Sequence, residues 1–142
     1  MNMIASSLIT ASAAIILLLG VTHLVYTFHG SKLWPRDREL QTRMQEVPLV
    51  INRQTTMWKA WVGFNASHSY GAILFGAVYG YLALLHSAFL FESTFLLMLG
   101  LLLLFGYAFL AKRYWFRVPL GGIVLATFLY VLGLVVGWNI SS

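Results

Sequence analysis

A chain of 142 residues that is 60% hydrophobic and only 9% charged cannot dress itself in a water-compatible surface, so lipid must solvate its apolar side chains. The lack of cysteine excludes disulfides, thiolate metal sites and cysteine nucleophiles together. The net charge of +5 does not point to nucleic acid, because the nine basic residues are confined to particular connections rather than spread over a face.

Four apolar stretches are long enough to cross ~30 Å of hydrocarbon, at about 4–28, 58–86, 94–111 and 118–138. Their even spacing and short connections predict an all-α membrane protein, a four-transmembrane-helix up-and-down bundle occupying 1–142 as a single domain. The first stretch has no Lys or Arg before its apolar core and carries its small residues ahead of Ile15–Leu19. It therefore reads as a retained span rather than a cleaved leader. Ser7, Thr10, Ala11 and Ala14 are expected to permit close helix approach in its first half, and Gly20, Thr22, His23, Tyr26 and Thr27 gather at its other end.

From His29 to Thr56 runs the one substantial segment outside the membrane. Pro35 suits the first turn of a short helix, Leu40, Met44 and Val47 recur at helical spacing, and Pro48 would stop it. Two readings follow: an amphipathic helix at the headgroup level, anchored by Trp34, Trp58 and Trp61, or an ordered loop capping the bundle.

The second span, Trp58 to His86, holds the densest mixture of polar and small residues. At about 100° per residue, Asn65, His68, Ser69, Ala72, Gly76, Tyr79 and Gly80 fall on one stripe, which must face protein rather than lipid. A short turn with Glu92 and Ser93 follows, where Ser93 or Thr94 is placed to cap the third helix. The third span is Leu-rich and expected to be the most lipid-exposed. Lys112 to Arg117 form a basic aromatic connection, Pro119 begins the fourth span, and Gly133 and Gly137 supply a small-xxx-small pair near its end.

Charge placement predicts orientation. Lys32, Arg36, Arg38, Arg43, Arg53 and Lys59 lie between spans one and two, and Lys112, Arg113 and Arg117 between spans three and four. The positive-inside rule puts both connections in the cytoplasm and both termini outside, which for a bacterium means the inner (plasma) membrane. Lys32, Arg53, Lys59 and Arg113 are the expected lipid-headgroup contacts.

Spans one and two run antiparallel. His23 then sits ~7 Å from the cytoplasmic end of its helix and His68 ~12–15 Å from the start of its own, so the two can meet across one interface. Together with Tyr26, Asn65, Ser67 and Ser69 they predict a polar pocket open to the cytoplasmic leaflet. The reading favoured here is a binding or interaction role in the membrane. One alternative is an electron-transfer subunit with haem b held axially by His23 and His68, with Gly20 and Gly71 leaving room for the macrocycle. Another is a small lipid- or quinone-modifying enzyme using His29, Arg53, Thr55, Thr56 or Lys59 at the interface. No Ser-His-Asp order, HExxH or phosphate-cradling glycine loop identifies a catalytic residue. A metal site is not expected, since no histidine pair stands at i, i+4 and no carboxylate lies within a span. The same lack of an intramembrane carboxylate, with Asp37, Glu39, Glu46 and Glu92 all outside the hydrocarbon, argues against proton-coupled transport. Membrane lipids are the expected partners, and the small-residue stripes allow a homo-oligomer or docking into a larger membrane complex. Asn65-Ala-Ser and Asn139-Ile-Ser match the glycosylation pattern but carry no such meaning at these positions.

Overall fold

A computed structural model describes residues 3–138, of which 83% are helical with no strand among them. Met1, Met1's neighbour Asn2 and the segment from Asn139 to Ser142, including the second Asn-x-Ser match, lie outside the described residues. The helices are α1 (Met3–Phe28), α2 (Arg38–Glu46), α3 (Met57–Leu85), α4 (Ser87–Glu92), α5 (Thr94–Tyr114) and α6 (Arg117–Trp138). Four of them, α1, α3, α5 and α6, are long and apolar enough to cross a membrane, making this a membrane-type helical bundle with four candidate spans. The third, α5, is the least buried of the four.

The described residues form two compact units, one from those up to Leu19 together with those from Ala72 onward and the other from Gly20–Gly71. In the first unit Ile9, Ala13 and Ile16 of α1, Phe75, Tyr79 and Ala83 of α3, Leu90 of α4, Leu104 of α5, and Ile123, Ala126 and Tyr130 of α6 form the core. Lipid tails are as apolar as these side chains, so the hydrophobic effect does not drive such helices together; close packing and interhelical hydrogen bonds must. Gly76 shows the packing. A Cβ placed there would lie 2.6 Å from Leu17 Cβ and 2.7 Å from Ala13 O, so α1 and α3 meet at backbone contact.

Tyr79 and Tyr130 supply the hydrogen bonds. The Tyr79 hydroxyl donates to Leu96 O at 2.6 Å and that of Tyr130 donates to Leu97 O at 3.1 Å, tying α3 and α6 to the first turn of α5. Phe75 stacks on Tyr79 at 4.6 Å, and Tyr79 meets Tyr130 edge-on at 5.9 Å. The cluster fits because Gly100 has no side chain: a Cβ there would collide with the Tyr130 hydroxyl and stand 2.8 Å from Tyr79 Cε1.

The second unit holds the end of α1, α2 and the start of α3. Asp37 caps α2, its carboxylate accepting from Glu39 N at 2.8 Å and Leu40 N at 3.3 Å, and Val47 ends the helix ahead of Pro48. Thr56 Oγ1 accepts from Lys59 N at 3.3 Å and so caps α3.

Several expectations are corrected. Pro35 precedes the short helix rather than opening it, because Asp37 supplies the cap. Ser7, Ala11 and Ala14 are exposed; the packed face of α1 is Ala5, Ile9, Ser12, Ala13 and Ile16. The turn expected after the second span contains α4, which buries Leu90 completely and seats Phe91 against Gly137, while Gly133 instead meets Ile9 of α1. α5 runs on through Lys112 and Arg113, cations favoured at a helix C-terminus, leaving Trp115 and Phe116 as the connection to α6. Ser93 is the cap of α5, its Oγ accepting from Leu96 N at 3.3 Å.

The Gly76 contact is expected to make Gly76→Ala cost about 1–3 kcal/mol, the range for overpacking, because backbone atoms cannot give way. Gly106, with nothing within 4 Å of an added Cβ, is expected to accept alanine without loss. Thermal unfolding of the two variants in detergent checks the contrast.

Candidate functional site

The polar cluster lies in the second unit and is built from two helices. His23 projects from the last turns of α1, and Asn65 and His68 sit one turn apart on α3. His23 Nε2 donates to Asn65 Oδ1 at 2.9 Å, and the same amide donates through Nδ2 to Trp61 O at 2.8 Å. The second bond sets which way the amide points, so Asn65 presents its oxygen and His23 carries its proton on Nε2. The His68 ring meets His23 edge to face, with centroids 5.4 Å apart and planes at 87°. All three side chains are half-buried.

The remaining expected pocket residues divide. Ser69 is fully buried, but its hydroxyl donates to Asn65 O on its own helix at 2.9 Å. Ser67 is exposed and bonds back to Phe64 O at 3.0 Å. Tyr26 is 41% exposed and lies beneath Lys32, whose Nζ is 5.9 Å from the ring centroid. Geometry thus gathers His23, Asn65 and His68, with Ser69 supporting the backbone, and leaves Tyr26 and Ser67 facing outward.

Against this cluster lies a feature built from the tryptophans expected only as membrane anchors. Trp34, Trp58 and Trp61, with Thr27, Leu33, Val62 and Asn65, line a shallow concavity that encloses no water-sized space. Trp34 and Trp58 meet edge to face at 5.8 Å, and Trp61 Nε1 donates to Leu33 O at 3.0 Å, pinning the connection to α3. The signal was available: Trp58, Trp61, Val62 and Asn65 share a helical face at spacings of three and four. Asn65 is therefore common to the aromatic wall and the histidine pair.

A haem iron between His23 and His68 would need a nitrogen of each ring facing a gap wide enough for the macrocycle. Here the two rings touch, and His23 Nε2 is engaged by Asn65. The pair as placed does not fit that group. Among the described residues no three His, Asp or Glu side chains converge as a metal set. Of the expected headgroup contacts, Lys32, Arg53, Lys59 and Arg113 are all exposed, and Arg113 lies 5.3 Å from the Tyr114 ring.

If the bond between His23 and Asn65 links the two helices, a double-mutant cycle with His23→Leu and Asn65→Leu should show a coupling of about 0.6 kcal/mol and at most about 1.7, the range for interhelical hydrogen bonds in membranes. Strictly additive losses in detergent unfolding would remove it. No protein-family model, no curated protein and no solved structure matches the chain, so the functional reading rests on this geometry.

Proposed function

We propose that this is a small multi-pass inner-membrane protein with a binding or interaction role rather than self-contained catalysis. Both basic connections lie on the cytoplasmic side and both ends of the chain on the other. Its recognition groups are His23, Asn65 and His68, within reach of molecules in the cytoplasmic leaflet, and Lys32, Arg53, Lys59 and Arg113 contact lipid headgroups.

The observation that carries the reading is the hydrogen bond from His23 to Asn65 with His68 packed on it. Polar side chains within a span are costly, and a cluster assembled from two helices beside an aromatic wall is suited to the polar head of a membrane-resident amphiphile, such as a quinone or a lipid. The imidazoles and the amide offer both donors and acceptors to oxygen-bearing heads. The small residues do less to support docking of a partner, since Gly76, Gly100, Gly133 and Gly137 are each covered by neighbours in their own unit.

The absence of cysteine makes sidedness directly testable. An impermeant maleimide should label Glu92→Cys from the outside of intact spheroplasts and Gln45→Cys only after permeabilisation; the reverse pattern inverts the topology. For the site, mass spectrometry of the purified protein should find an amphiphile that is retained by the wild type and lost from folded His23→Ala and His68→Ala. Equal content in all three would overturn the binding role. A Soret band in protein from haem-replete cells, lost in the same variants, would replace that role with the haem reading.

A further inference from the structure

Between α2 and α3 the chain makes a closed loop with an apolar tip. Met57 N donates to Val47 O at 2.9 Å, Pro48 pairs with Thr56 in an antiparallel bridge, and Gln54 N donates to Asn52 Oδ1 at 2.7 Å. The stem and the far side are pinned, yet Val50 is fully exposed and Ile51 is 90% exposed. Tips of water-facing loops are ordinarily built from Gly, Asn, Asp and Ser. Two β-branched apolar residues held outward by a bridged stem are suited to a surface less polar than water.

We propose that Val50 and Ile51 insert into the headgroup–acyl boundary of the protein's own bilayer, with Arg53 and Arg43 on lipid phosphates. Reach supports it. Ile51 lies three residues beyond the bridge at Pro48, or ~10 Å at strand rise, and that bridge adjoins the first residue of α3. At 29 residues α3 is ~43 Å long against ~30 Å of hydrocarbon, so its end extends into a headgroup layer itself ~5–8 Å thick. The tip therefore starts at the level of the interface.

Charge supports it as well. From His29 to Lys59 there are six basic side chains and three acidic ones, and α2 buries no residue of its own. Leu40 is half-exposed, Met44 and Val47 lie along the same stripe, and Arg43 flanks them. This combination of an apolar stripe, a wedge and flanking cations fits an interfacial segment on an anionic leaflet. The inference stands apart from the histidine cluster and holds whichever ligand that cluster takes.

The test uses the full chain in nanodiscs of phosphatidylethanolamine and phosphatidylglycerol, with the fluorophore NBD on single cysteines at Val50→Cys, Ile51→Cys and, as a reference on the polar side of α2, Gln45→Cys. Emission at 50 and 51 is expected to be blue-shifted and several-fold brighter than at 45, quenched by doxyl-labelled lipid and shielded from iodide. Iodide quenching equal to that at 45, without doxyl quenching, would overturn the proposal. Shielding from iodide without doxyl quenching would also overturn it, assigning the tip to a second copy or another protein. Because both positions are exposed, folding of the labelled variants can be checked by size exclusion against the unlabelled chain.

Discussion

Inside hydrocarbon a polar side chain has no water to turn to, and this constraint decides where the hydrogen-bonding groups of this chain go. Most are satisfied within their own helix: Thr27 on His23 O, Ser69 on Asn65 O and Thr127 on Ile123 O, each one turn back. Such bonds say nothing about neighbouring helices. Others do, among them His23 to Asn65, Tyr79 to Leu96 O, and Tyr130 to Leu97 O. They link different helices and so fix helix rotations that a nearly uniform apolar surface leaves open. Among the described residues, the hydroxyls of Ser6, Thr10 and Ser12 on α1 are the exceptions, buried with no hydrogen-bond partner.

The two units differ in what they offer. The first is small and aromatic inside, with Gly76 and Gly100 admitting backbone and tyrosine rings at contact distance. The hydroxyls of Tyr79 and Tyr130 tie its helices together. The second places three tryptophans and the Asn65 amide around one shallow concavity, with His23 bonded to that amide and His68 packed on His23. The binding role proposed for the protein is placed there. Asn65 belongs to both the histidine pair and the tryptophan wall.

Much of the fold was legible in the sequence because its rules are coarse ones. Apolar length located all four candidate spans within a few residues, and the stripe on α3 read inward, with Ser69, Ala72, Gly76 and Tyr79 all buried. Matching His23 and His68 by depth brought them near each other, as their ring contact has it. Finer detail was not legible. Ser7, Ala11 and Ala14 read as a packing face, but α1 is apolar all round, and small residues are tolerated against lipid as well as against protein. The sequence did not show that Asn65 would be the acceptor for His23, since that depends on the rotation of α1. The outward Val50 and Ile51 depend on a bridge between Pro48 and Thr56 that no periodicity announces.

The most direct measurement is solid-state NMR of the protein in lipid bilayers, with ¹⁵N-labelled histidine and ¹³C-labelled asparagine. With four histidines in the chain, single His→Gln variants assign the signals. A protonated Nε2 on His23 showing a through-space correlation to the Asn65 side-chain carbonyl, and a proton contact between the rings of His23 and His68, is the expected result. A His23 ring protonated on Nδ1 alone, or one with no correlation to Asn65, would contradict the cluster on which the binding role is built.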